Sequence, residues 1–236
     1  MKSSRLLPLI VACGLFVENM DSTVLSTSLP AIAADLATDP IALKLALTTY
    51  LLALAVFIPV SGWVADRFGA RSTFVSAIAV FLLGSVSCAL SDSLAALVAG
   101  RFVQGMGGAM MVPVGRLVLL RTIPKSEIVQ ALSWVTIPAL VGPMVGPPLG
   151  GFITTYFDWR YIFFINMPIG ALGMILALRF IPNAREPPPP LDWLGFALAG
   201  GGLGAAVFGF STLGQPLRSE ERRVGQEGRS RWAPYP

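Results

Sequence analysis

The chain reads as an all-α polytopic membrane protein on three observations. Of its 236 residues 54% are apolar and only 13% charged, with a mean hydropathy of +0.71; soluble domains carry about 25% charged residues. Runs of about 20 apolar residues recur, each long enough for a hydrocarbon core near 30 Å thick. Most of the basic residues fall between those runs, far more of them on one side than on the other, as they do when cationic loops stay in the cytoplasm.

Seven spans follow in order: 6–29, 41–63, 72–90, 94–120, 128–153, 161–181 and 193–213. The first is too long and too polar at its centre for a cleaved signal peptide, so it is expected to stay as a helix. Loops close the next two, and the fourth enters after Ser91-Asp92-Ser93. The fifth holds Gly142, Pro143, Gly146, Pro147, Pro148, Gly150 and Gly151, a composition that favours close helix approach and a bent axis. After the sixth, the stretch from Pro187 to Pro190 is a stiff extended linker, and Asp192 suits the N-cap of the seventh helix. Lys2, Arg5, Arg67, Arg71, Arg116, Arg121, Lys125, Arg179 and Arg185 fall on one side, against Lys44 and Arg160 on the other. That asymmetry predicts a multi-pass inner-membrane protein with a cytoplasmic N-terminus.

Three chemistries are disfavoured. With no histidine there is no Ser-His-Asp or Cys-His machinery and no imidazole metal ligand, so neither an enzyme, a metal site nor a cofactor is expected. Cys13 and Cys88 lie inside apolar runs and read as small buried hydrophobes. The net charge of +4 is scattered between spans rather than gathered in a patch for nucleic acid.

A charge inside a span costs at least about 2.5–3.5 kcal/mol on insertion scales and marks a functional site by default. Glu18 and Asp21 are three residues apart, on one helix face, roughly 18 and 22 Å along the first span. Arg101 lies about 10 Å into the fourth, so Arg101 and Gln104 reach nearly the depth of Asp21. Burial makes a carboxylate hold its proton and a neighbouring guanidinium makes it release one; balanced, the two permit proton exchange. An inert cluster that only fixes helix packing is the competing reading.

Taken together, four ordered motifs resemble the major facilitator superfamily, and within it the fourteen-helix drug:proton antiporters. Gly62, Asp66, Arg67, Gly69 and Arg71 match its loop between second and third helices, with Ala70 in place of one closing basic residue. Arg101, Gln104, Gly105 and Gly108 resemble its fourth-helix proton-transfer pattern. Gly142, Gly146, Pro147, Gly150 and Gly151 resemble its antiporter element, and Met20 to Val24 with Leu29-Pro30 resembles its first-helix signature. Trp159-Arg160 through Asn166, Pro168 and Gly170 is similar to its entry into the sixth helix.

The resemblance implies the N-terminal six-helix half of a major facilitator fold, built from two inverted three-helix repeats, plus one extra transmembrane helix. Residues 1–186 would form that half and 187–214 the linker and seventh helix. Residues 215–236, where Arg and Glu replace the apolar texture, are expected to be a non-native or disordered polar tail. The implied function is proton-coupled efflux of drugs or other cationic or amphipathic small molecules, driven by the proton gradient and present here as an incomplete half. Its partners would be the substrate, the bilayer and the missing second half. Asp21, Arg101, Gln104 and Glu18 inherit proton coupling. Gly62, Asp66, Arg67, Gly69 and Arg71 would latch the cytoplasmic side, and the fifth-helix glycines would seal the halves against proton leak. Phe16, Trp134 and Phe152 are candidates to line a substrate cavity. A symporter or facilitator of a metabolite, or an inactive membrane fragment, is the alternative.

Overall fold

The computed structural model describes residues 3–39, 41–183, 187 and 190–213, with side chains from Leu6 to Gly209. The proposed polar tail and the side chains of Lys2, Arg5 and Arg185 lie outside the described residues. Nine α-helices are described: α1 (Ser3–Asp35), α2 (Lys44–Phe57), α3 (Ser61–Phe68), α4 (Ala70–Ala89), α5 (Leu94–Thr122), α6 (Ile128–Tyr156), α7 (Tyr161–Phe164), α8 (Asn166–Phe180) and α9 (Trp193–Leu213). The 3-10 turn Ile58–Val60 joins α2 to α3, so Lys44–Phe68 is one crossing, as is Tyr161–Phe180. Six helical stretches are long and apolar enough to cross a membrane, and α9 is a further apolar helix packed on α2.

Local chemistry accounts for the boundaries. Helix α1 continues six residues past the expected end, with Pro30 inside it. A membrane helix tolerates proline because neighbouring groups re-satisfy the freed carbonyl. It stops at Ala37, whose φ of 46° lets the Thr38 amide donate back to the Ala33 carbonyl at 3.0 Å, a Schellman-type closure. Ser93 caps α5, its hydroxyl accepting from the Ala96 amide, and the Asp192 carboxylate accepts from the Gly195 amide at 2.8 Å as N-cap of α9. The expected sixth span is broken at Ile165. Pro168 explains this, because it has no N–H for the Phe164 carbonyl and its ring crowds that carbonyl.

The packing order carries the repeat. Numbering the crossings one to six, the main contacts pair one with five, two with four, three with four, one with six, and three with six. Exchanging one with four, two with five and three with six maps one–five onto two–four, three–four onto one–six, and three–six onto itself. An odd number of crossings inverts the second block in the membrane, so the two three-helix repeats are inverted.

Glycines set two of these interfaces. Thr23 and Thr27 of α1 sit in notches left by Gly146 and Gly150 of α6, and the Asn19 Cβ lies against Gly142. Both rows repeat every four residues, which lines them along one helix face. The hydroxyls of Thr23 and Thr27 are bonded to carbonyls of their own helix, so the contact leaves no polar group unpaired. Between α4 and α5, Gly84 faces the backbone of Gln104, and Gly107 faces that of Ala77 and Phe81. Here the two main chains are in direct contact.

The fifth-span glycines therefore pack α6 on α1 of the same unit. Gly151 alone of that motif has open space where a Cβ would stand.

Candidate functional site

The α1–α6 notches turn Asp21 away from α6 and toward α5 and α8, where the depth arithmetic places its partners. Asp21 and Arg101 meet at 2.5 Å between Oδ2 and Nη1, both buried. Gln104 Nε2 donates to Asp21 Oδ1 at 2.8 Å while Gln104 Oε1 accepts from Arg101 Nη1 at 2.6 Å. Two residues not anticipated as site members complete the cluster. Asn166 Nδ2 donates to Asp21 Oδ1 at 2.7 Å, and Ser85 Oγ accepts from Gln104 Nε2 at 2.9 Å. The Tyr50 ring covers Arg101, with the guanidinium carbon 4.2 Å from its centroid.

Each element earns its place in this cluster. The Gly84 and Gly107 contacts bring Ser85 and Gln104 together, and the break at Ile165 exposes Asn166 at the start of α8, aimed inward. The carboxylate thus accepts from three side chains on two helices. Both carboxylate oxygens of Asp21 are therefore engaged by donors. Five helices, α1, α2, α4, α5 and α8, converge on one buried carboxylate.

Glu18 is not drawn into the pair. It is half-buried, with Oε2 unpartnered, and it turns toward Gly108 and the Tyr50 hydroxyl, which is also unpartnered. Sequence spacing alone placed Glu18 and Asp21 on one face, but their environments differ.

At the end of the bundle where α3 meets α4, Asp66 pairs with Arg121 at 2.6 Å, a contact not foreseen. Arg67 lies over the Trp63 ring, its guanidinium carbon 5.8 Å from the centroid. Gly69 has φ 95°, where L side chains are strained, and a Cβ there would meet the Asn183 side chain. Asn183 Oδ1 accepts from the Ser72 amide at 3.3 Å, tying the end of the last crossing to the start of α4. Gly62 faces open space and Arg71 is half-buried.

At the opposite end Asp35 Oδ2 accepts from Trp159 Nε1 at 3.0 Å and from Arg160 at 2.9 Å, and Arg160 also reaches the Ser91 carbonyl. Phe152 is exposed and clusters with Tyr156 and Phe157. Phe16 packs partly buried between the two apolar cores, and Trp134 is at the surface. A cavity of about 450 Å³ lies between α1, α5 and α6. Phe16, Trp134 and Phe152 are not among its lining residues. Among the described residues no cluster of His, Cys, Asp and Glu could hold a metal ion.

Comparison with known proteins identifies the family. Residues 11–197 match the family model described as Major Facilitator Superfamily. A Serratia proteamaculans protein provisionally named multidrug resistance protein MdtD is 44% identical over 194 residues, 82% of this chain and 41% of that protein. Its Yersinia enterocolitica namesake is 41% identical over 210 residues, 88% and 45%. The chain thus spans less than half the length of these curated relatives. In structure it is similar to the proton:xylose symporter XylE, with a TM-score of 0.68 at 14% identity over 86% of this chain and 48% of that one. It is similar also to the human organic anion transporter MFSD10, with 0.64 at 16%, over 83% and 53%. These two likenesses concern the fold alone. With inverted repeats in its packing, a family match over most of its length and relatives above 40% identity, the chain belongs to the Major Facilitator Superfamily.

Proposed function

We propose that this chain supplies the N-terminal six-helix unit, with α9 appended, of a proton-coupled exporter of amphipathic small molecules. The family is one of membrane transporters rather than enzymes. The observation that carries the proposal is the buried Asp21–Arg101 pair bridged by Gln104, with Asn166 donating to Asp21. A permanently inert ion pair is an expensive way to pack helices, since apolar side chains of similar volume do so at least as well. A carboxylate held against one cation by neutral amides can instead exchange its charge for a proton.

In this reading Asp21 takes up a proton when its cavity opens to the outer face and loses it to the cytoplasm as the unit rocks. Arg101 and Gln104 set how firmly the charge is held, and Glu18, nearer the surface, is the accessory carboxylate. Asp66, Arg67, Gly69 and Arg71 form the cytoplasmic latch, which the Asp66–Arg121 pair holds in the present conformation. The charge asymmetry of the loops supports an inner-membrane location with the N-terminus in the cytoplasm. A second six-helix unit would complete the central cavity.

The direction of proton movement tests the proposal. The chain would be expressed as the longest reading frame that carries it and reconstituted in vesicles with a pH-sensitive dye inside. A transported amphiphile is expected to move protons opposite to itself; protons moving with the substrate would make the protein a symporter.

A further inference from the structure

We propose that the cavity between α1, α5 and α6 binds the anionic group of an amphipathic organic anion, with Arg116 as its counter-charge. The inference rests on the exporter reading above and names the charge class of its substrate.

The cavity, of about 450 Å³, is within the range of small-molecule sites. Leu15, Val112 and Pro143 are among its apolar walls, Asn19 and Thr136 add polarity, and Arg116 is the one charged side chain among the described lining residues. Arg116 is exposed, and among the described residues it makes no hydrogen bond or ion pair. It stands six residues before the end of α5, about 9 Å inside the helix. Its guanidinium stands on the wall of a cavity whose other described lining residues carry no charge.

The acidic groups nearby do not supply one. Asp21 is committed to Arg101 and Asp66 to Arg121, while Glu18 points at Gly108 on another side of α1. An apolar cavity with a forked cation at its wall complements a carboxylate, sulfonate or phosphate carried on an apolar body. It does not complement a cationic drug, whose ammonium would face Arg116. The charge class suggested by family resemblance is therefore reversed.

The test uses the full chain in nanodiscs of phosphatidylcholine and two probes with the same ring and opposite charge, naphthalene sulfonate and naphthylmethyl-trimethylammonium. Calorimetry is expected to show the sulfonate binding about tenfold tighter than the ammonium. Arg116→Gln should lose that preference, Arg116→Lys keep part of it and Arg116→Glu invert it. Should Arg116→Gln aggregate, the Lys and Glu variants decide. Equal binding of both probes, or a preference surviving in Arg116→Gln, overturns the proposal. So does loss of sulfonate binding when the nanodiscs contain phosphatidylglycerol, which would assign Arg116 to a lipid phosphate. Binding needs no proton gradient, so failure here leaves the proton-coupling reading standing, and a failure of proton countertransport leaves this one.

Discussion

Replacing Asp21 by asparagine is expected to abolish proton-driven transport while the protein still inserts. Asparagine has nearly the shape of aspartate and keeps one oxygen to accept from Gln104 and Asn166. On its other side an amide N–H would face Arg101 Nη1, donor against donor, where Asp21 now pairs at 2.5 Å. The Arg101 charge is then buried without its partner, a loss of about 3–5 kcal/mol for pairs of this kind. Neutral at every pH, the variant has no group at this position to load. The measurement is accumulation of a fluorescent amphipathic dye in inverted vesicles under an imposed pH gradient. Wild-type vesicles should respond to the gradient and Asp21→Asn vesicles should not, at equal amounts of inserted protein. Gradient-dependent accumulation in the variant would remove Asp21 from the coupling path.

The second large effect concerns a single methyl group. Gly107→Ala would place a Cβ against the backbone of α4, 2.6 Å from the Ala77 carbonyl oxygen. Backbone cannot swing aside as a flexible side chain can, so α5 must move off α4. Overpacking of this sort costs about 1–3 kcal/mol in ordinary cores, and contact with main chain puts it at the upper end. Gln104, one turn earlier on α5, would move with it and pull away from Ser85 and Asp21. A lowered unfolding midpoint in detergent is therefore expected. Gly151→Ala is the internal control, since nothing lies within 4 Å of its added Cβ, and its midpoint should match wild type. Equal midpoints for all three proteins would mean that α4 and α5 are not in main-chain contact.

Depth along a helix is readable from sequence because rise per residue is constant, and that is why Asp21, Arg101 and Gln104 could be brought to one level from spacing alone. Rotation about the helix axis is set by neighbours, and it decided the rest. Nothing in the order of residues says that Thr23 and Thr27 dock into Gly146 and Gly150, yet that contact points Asp21 at α8. Asn166 was visible only as part of an entry motif, because its inward aim depends on the break at Ile165; Pro168, three residues after that break, was the available signal. Ser85 looked like any small residue in an apolar run. Gly84 and Gly107 shared that fate, being informative only once the opposing backbone is known.

Charge pairing at the bundle ends was illegible for a similar reason. Arg121 counted as one more basic residue on the more basic side, and its pairing with Asp66 requires the ends of α3 and α5 to meet. The first span was expected to end at residue 29, and α1 runs on through Pro30 to Asp35, because a membrane helix tolerates proline. Conversely, the N-cap at Asp192 could be read directly, since a cap involves only residues within one turn.

The most direct test of a proton-exchanging carboxylate is to observe its protonation. Infrared difference spectra of the purified protein between acid and alkaline buffer should contain a protonated-carboxyl stretching band. That band should be lost in Asp21→Asn and shifted in Arg101→Lys, which keeps the charge but not the forked contact. A band identical in Asp21→Asn would assign the exchange to another group, Glu18 first. Absence of any such band in the wild-type protein would make the Asp21–Arg101 pair a fixed element of packing.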